Sequence, residues 1–260
     1  MSDLPLIVDA AREAGALALK LLNAGLNIEK KPDGTPVTDA DLAVDAFLTE
    51  RLRAARPDYA WLSEETADNS DRLAARRVFI VDPIDGTRAY MRGKPWWAVC
   101  IAVVEDGVPI AGVVHAAALD ECFTSTLGCG ANLNGQRIHA SGTVNLEGCR
   151  MLGDEKMFNH PAWREPWPPM TIESRNAIAY RMALVASGAF DAAVALSAKS
   201  EWDLAAAALI AEEAGVKISD HKGRAFAFNK PIAKVPSLIC ATPGLYPLIL
   251  ERTSPIDLPD

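Results

Sequence analysis

The apolar run Val78-Phe79-Ile80-Val81 leads directly into Asp82-Pro83-Ile84-Asp85-Gly86-Thr87, and no other stretch constrains the chain path as tightly. Four consecutive apolar, largely β-branched residues predict a buried strand. Pro83 has no N–H to continue a ladder, so the strand is expected to end in a turn. Gly86 lets the backbone approach a ligand closely, and Thr87 then opens a helix whose free amides suit an anion. The two aspartates, three apart across that turn, would stand at the carboxyl end of a strand. Hard divalent cations such as Mg²⁺ take oxygen ligands of this kind alongside substrate phosphates. A purely structural reading also exists, because Asp-Pro and Asp-Gly are both ordinary turn dipeptides.

The remaining composition narrows the class. With 260 residues, half of them hydrophobic and 23% charged, the chain is expected to form one large or two closely packed globular domains. The unbroken apolar stretch from Ala98 to Val104 is far too short to cross a bilayer. Asp3, Asp9, Arg12 and Glu13 interrupt any signal-like amino terminus, so a cytoplasmic location without membrane association is expected. The five cysteines are odd in number and form no C-x-x-C pair, which argues against a disulfide framework or a zinc site. A net charge of −8 disfavours a groove for polymeric nucleic acid, while leaving room for local basic groups that recognise a small anion.

Apolar spacing predicts a helix over residues 4–22 and, after a loop at residues 30–34, a second from about Thr38 to Arg53. A short strand at 59–62 precedes Glu64-Glu65. Asp106-Gly107 between two β-rich runs predicts an antiparallel hairpin of residues 97–105 and 108–115. A strand is expected at 122–126 and a turn at 132–136. Beyond an irregular region come a strand near 170–173, a helix over 176–187, a strand at 191–196, a helix from Trp202 to Ala214, and strands near Val216 and Leu238. The expected architecture is an α+β or α/β layered sandwich, with a portion at 1–150 and a second at 151–260, the boundary lying within about 140–170.

Several acidic residues have structural explanations when taken singly. Thr38 and Asp41 have the spacing of a capping box, and Asp203 suits the positive end of a helix. The ordered set carries more: Lys31, Val37-Thr38-Asp39-Ala40-Asp41, Ser63-Glu64-Glu65, Asp82 through Thr87, and Trp202-Asp203-Leu204-Ala205-Ala206 through Glu213-Ala214-Gly215. Over nearly its whole length this order resembles the inositol monophosphatase superfamily. The resemblance implies a Mg²⁺-dependent, commonly lithium-sensitive phosphomonoesterase using two or three ions. By the same resemblance Glu64, Asp82 and the Ile84 carbonyl would hold one ion, and Asp82, Asp85 and Asp203 a second. Thr87 and Glu64 would orient the attacking water, with Asp41 accepting a hydrogen bond from Thr87. Gly86 and Thr87 amides would hold phosphate oxygens. A homodimer is common among similar proteins, although no interface is legible here.

The chain departs from the family pattern at Ser63 and Val216, where glycine often stands, but neither position is a proposed ligand. Ser200-Glu201-Trp202-Asp203, with Tyr180-Arg181 upstream, most resembles bacterial 3′(2′),5′-bisphosphate nucleotidases, implying 3′-phosphoadenosine 5′-phosphate as substrate. Arg88, Arg181 and Asp203 would then face that small phosphorylated metabolite. On packing alone Arg181 points outward and Arg88 is a solvated first-turn arginine. The position aligned with the family's acidic inositol contact falls near Leu196, which disfavours a strict inositol-1-monophosphatase. Arg88-Ala89-Tyr90, Arg92-Gly93 and Pro95-Trp96 resemble histidinol-phosphate phosphatases, and fructose bisphosphate is a further alternative. A regulatory binding protein with a vestigial site is the non-enzyme alternative.

Overall fold

The computed structural model describes residues 2–32 and 34–258, so Asp33 of the expected loop lies outside the described residues. Helix α1 (Leu4–Ala24) starts with Pro5 in its first turn and stops at Gly25, whose φ of +97° ends the helical path. A short hairpin follows, β1 (Ile28–Lys30) against β2 (Pro36–Thr38), where only a loop was expected. Helix α2 (Asp39–Ala55) begins with the predicted capping box: Thr38 accepts from the Asp41 amide, and the Asp41 carboxylate accepts from Thr38.

A seven-stranded sheet comes next. It comprises β3 (Ala60–Ser63), β4 (Arg77–Asp85), β5 (Ala98–Glu105), β6 (Val108–Ala116), β7 (Glu121–Thr126), β8 (Ala131–Leu133) and β9 (Gln136–Arg137), in sequential order. Only β3 and β4 run parallel; the other neighbours are antiparallel. Helix α3 (Thr87–Tyr90) is a single turn after β4. Asp106-Gly107 makes the expected turn between β5 and β6, with φ of +49° and +83°. Asn134-Gly135 does the same between β8 and β9, so the expected turn is the tip of a further hairpin.

The second sheet orders its strands β11-β10-β12-β16-β14. These are β10 (Arg150–Leu152), β11 (Thr171–Glu173), β12 (Ala192–Ala195), β14 (Lys217–Ser219) and β16 (Leu238–Ala241). Beside them β13 (Lys199–Ser200) pairs with β15 (Lys234–Val235). The helices of this half are α4 (Glu155–Phe158), α5 (Ile178–Ala186), α6 (Ala205–Glu213) and α7 (Tyr246–Thr253).

Three apolar cores define the layers. One buries α1 and α2 against Phe79, Val81, Val99, Ile101 and Val103 on one face of the seven-stranded sheet. A second packs the opposite face, through Val78, Ile80, Cys100 and Ala102, against α5 and α6, whose other side meets Leu152, Ala193 and Cys240 of the second sheet. The third covers the outer face of that sheet with Leu245 and Ile249. The result is the expected layered sandwich, α/β/α/β/α. Helix α6 is alanine-rich because it lies between two sheets: Gly112 of β6 sits so close that a Cβ there would meet the Ala206 carbonyl at 2.9 Å. Among the described residues no helix is long and apolar enough to cross a membrane.

Two local expectations need correction. The strand before the Asp82 motif does not end at Val81. β4 continues through Asp85 with a register shift between Asp82 and Asp85, so Pro83 and Ile84 are accommodated as a bulge rather than a terminus. The helix expected from Trp202 begins only at Ala205, because residues 201–204 form a turn.

Candidate active site

Parallel pairing of β3 and β4 sets the first part of the site. Ser63 lies opposite Val81, and the Glu64 amide donates to the Val81 carbonyl at 3.3 Å, so Glu64 emerges beside Asp82. From the other half of the chain, the turn between β13 and α6 brings in Asp203. Glu64, Asp82 and Asp203 offer carboxylate oxygens within 4.8 Å of one another. Asp203 does not cap α6; its Oδ2 accepts from the Ser200 amide at 2.9 Å. Asp82 is 1% exposed, and its Oδ1 accepts from the Ile84 amide at 3.0 Å.

Asp85 is brought to the same cleft but held differently. Its Oδ1 accepts from Ile178 at 2.9 Å and its Oδ2 from Ala179 and Tyr180 at 2.8 and 3.3 Å, all backbone amides at the start of α5. The carboxylate therefore caps a helix from outside and lies beyond the set of three. Sequence reasoning missed this bond, although a negative signal was present: Ala177 stands at the N-cap and has no side chain with which to cap.

The electrostatics follow from crowding. Burial raises the Asp82 carboxyl well above its ordinary range, and the neighbouring Glu64, Asp85 and Asp203 charges push the same way. Burial and then Asp203 lift Asp85 to about 8, against the pull of the α5 amides. Asp203 rises to about 7, through burial opposed by the Ser200 amide and aided by Glu64. Lys31, from the loop between β1 and β2, donates to Glu64 at 2.8 Å and to Glu65 at 2.7 Å. Burial works against its ammonium, but those two ion pairs outweigh it and raise its pKa. A buried all-oxygen cluster whose own charges repel fits a hard divalent cation, which removes the repulsion while keeping the carboxylates ionised.

Thr87 follows Gly86, whose φ of +91° and close approach to Ala177 exclude a side chain: a Cβ would lie 2.9 Å from the Ala177 Cβ. The Thr87 hydroxyl lies 3.1 Å from Asp41 Oδ1 and 3.2 Å from the Ile84 carbonyl, so it donates to one at a time and keeps its lone pairs for another donor. Burial raises the Asp41 carboxyl, against the hydrogen bonds from Thr38 and Thr87.

Glu64, Asp82, Asp85, Gly86, Thr87 and Asp203 line an open cleft of about 770 Å³, together with Arg88, Asp154, Lys156, Arg181, Leu196 and Lys199. Arg181 does not point outward; it lines the cleft, and its Nε is buried without a hydrogen-bond partner among the described residues. Arg88 lies exposed at the rim. Lys156 and Lys199 were not anticipated, and only the fold brings them here. Leu196, an apolar side chain, lines the cleft as well.

Glu64, Asp82 and Asp203 gathered in one open cleft, on an α/β/α/β/α sandwich, define a phosphoric monoester hydrolase of the metal-dependent kind. Residues 3–256 match the model of the Inositol monophosphatase family, and the chain belongs to that family. The family is metal-dependent, typically on Mg²⁺. A histidinol-phosphatase from Mycobacterium tuberculosis is 38% identical over 221 residues, 78% of this chain and 84% of that protein. The 3′(2′),5′-bisphosphate nucleotidase CysQ from Aggregatibacter actinomycetemcomitans is 29% identical over 245 residues, 86% of each chain. The solved structure of the Thermotoga maritima IMPase superposes with a TM-score of 0.86 at 28% identity, covering 98% of both chains.

Proposed function

We propose that the protein is a Mg²⁺-dependent phosphomonoesterase acting on a 3′(2′),5′-nucleoside bisphosphate such as 3′-phosphoadenosine 5′-phosphate. The observation that carries the substrate is the cationic wall of the cleft. Arg88, Lys156, Arg181 and Lys199 line it, and among the described residues none forms an ion pair with a carboxylate. One phosphate needs only the metal cluster and the Gly86-Thr87 turn, so the remaining cations suit a second anion on the same substrate.

Glu64, Asp82 and Asp203 would hold the first ion, with the Ile84 carbonyl and Asp85 as the further ligands of a two- or three-ion site. Bound there, Mg²⁺ polarises phosphoryl oxygens and lowers the pKa of a coordinated water. The protein's own residues supply orientation. Thr87 accepts a hydrogen bond from the attacking water and passes its own proton toward Asp41, whose raised pKa suits it to a base. Thr38 fixes the Asp41 carboxylate, so the relay does not depend on a mobile side chain.

Histidinol phosphate is a second reading, supported by the 38% identity to the M. tuberculosis histidinol-phosphatase and by Asp154, a carboxylate lining the cleft that suits a substrate ammonium. The test is kcat/KM with Mg²⁺ for 3′-phosphoadenosine 5′-phosphate, histidinol phosphate, inositol 1-phosphate and fructose 1,6-bisphosphate. The nucleoside bisphosphate should lead by about tenfold or more, the value of one charged hydrogen bond. A lead for histidinol phosphate would replace the substrate. Mg²⁺ binding with no hydrolysis of any ester would favour the binding-protein alternative.

A further inference from the structure

Glu64 and Asp203 come from opposite halves of the chain, and between their carboxylates the only direct force is repulsion. Mg²⁺ tolerates little error, since it requires near-octahedral oxygens at about 2.0–2.1 Å. The segment at residues 228–235 runs between the two loops that carry these ligands, bonded to both.

On the Asp203 side the contact is Glu201, two residues upstream and 0% exposed. Its carboxylate accepts from the Asn229 amide at 2.6 Å and the Lys230 amide at 3.1 Å, while Ser200 pairs with Lys234 in the β13–β15 ladder. On the Glu64 side the contact is Arg72, which is 2% exposed. Its Nη1 donates to Asn229 Oδ1 at 2.7 Å and its Nη2 to the Lys230 carbonyl at 2.9 Å. Asn229 returns a bond from Nδ2 to the Arg72 carbonyl at 3.1 Å. Arg72 also forks onto Asp68 at 2.6 and 2.9 Å, fastening the loop that starts at Glu64. The near end of that loop is fixed by Ser63 and Thr66, whose hydroxyls both donate to Asp45. Asn229 adopts φ +59°, an uncommon conformation for a residue other than glycine, which here turns both its amide and its side chain to these partners.

We propose that Arg72 and Asn229, acting through Glu201, are positioning residues that set the spacing of Glu64 and Asp203 for a divalent cation. The proposal rests on reading Glu64, Asp82 and Asp203 as metal ligands. Arg72 touches neither substrate nor ion; it fixes one ligand loop against the other. Removing the clamp widens the range of Glu64–Asp203 separations and so weakens Mg²⁺ binding before it alters the chemistry of a loaded site.

The experiment is calorimetric titration of the metal-free full-length protein with Mg²⁺, beside kcat at saturating Mg²⁺. Arg72→Met should weaken Mg²⁺ about tenfold, with kcat changed less than about threefold. Asn229→Gly keeps the left-handed backbone and the amides on Glu201 but loses the side-chain bonds to Arg72; it should weaken Mg²⁺ about threefold, and it carries the test if Arg72→Met fails to fold. Arg150→Ala breaks the ion pair with buried Asp191, neither residue lining the cleft; it should lower Tm and leave Mg²⁺ affinity unchanged. Wild-type affinity in Arg72→Met and Asn229→Gly, with Asp203→Asn impaired, overturns the clamp. So does an equal loss in Arg150→Ala. Wild-type affinity in Asp203→Asn overturns the metal assignment itself.

Discussion

Thr87 and Asp41 stand 46 positions apart and meet through one hydrogen bond, Oγ1 to Oδ1 at 3.1 Å, while the other Asp41 oxygen closes the capping box of α2. One carboxylate thus serves both a helix start and the Thr87 hydroxyl. The structural and functional explanations of Asp41 do not compete, because each uses a different oxygen.

Substitutions separate the two duties. Thr87→Ala should lower kcat by about 100-fold or more, the usual scale for losing a positioned proton-transfer partner, with Mg²⁺ affinity unchanged. Asp41→Ala should lower kcat similarly and also cost about 1 kcal/mol of stability through the lost cap, roughly 2–4 °C in Tm. Single-turnover rates and thermal melts check both. A Thr87→Ala protein with wild-type kcat would remove the hydroxyl from the reaction.

Asp203→Asn removes one charge from a cluster whose members oppose one another. Mg²⁺-dependent turnover should fall by more than the roughly 10–100-fold that follows loss of a ligand's supporting partner. The metal-free protein should meanwhile become more stable, because burial and Glu64 both disfavour the ionised Asp203. A lower Tm in the presence of a chelator would contradict this account of the cluster.

The sequence made Asp41, Glu64, Asp82 and Asp203 legible as a set because each sits in a short motif with fixed neighbours. The hairpin at Asp106-Gly107 was legible for a similar reason, since its turn needs residues that tolerate positive φ. The continuation of β4 through Asp85 was hidden, because a bulge that absorbs Pro83 looks locally like a strand end. Lys199, Lys156 and the inward aim of Arg181 were hidden too. They depend on how the α5 and β12 layers close over the first sheet, and local spacing carries no trace of that packing.

The cationic wall supplies a substrate test. Arg181→Ala should raise KM for the nucleoside bisphosphate by about tenfold or more, the loss of a charge-assisted bond. It should leave KM for a simple monophosphate such as inositol 1-phosphate nearly unchanged. Equal effects on both substrates would assign Arg181 to the reacting phosphate instead of a second anion.

Stability and metal affinity should respond to pH in opposite directions. Burial lifts Glu65 to about 7, with Lys31 opposing and Glu64 reinforcing; Asp203 reaches about 7 and Asp85 about 8. In the unfolded chain such carboxyls titrate near about 4. Between those limits the metal-free folded protein binds more protons than the unfolded chain, so its stability is greatest at the acid end and is lost as pH rises through about 7–8. At Asp203 and Asp85 protons would compete with Mg²⁺ for the same oxygens, so Mg²⁺ affinity should climb over that interval and level off above about 8. Melts in chelator should show a lower Tm at about pH 8.5 than at about pH 5.5. Mg²⁺ titrations near pH 6.5, in two buffers differing in ionisation enthalpy, should report proton release, a signal about absent by pH 9. A Tm in chelator that rises across this range, or Mg²⁺ binding that releases no protons near neutrality, would mean that the cluster is already ionised before the metal arrives.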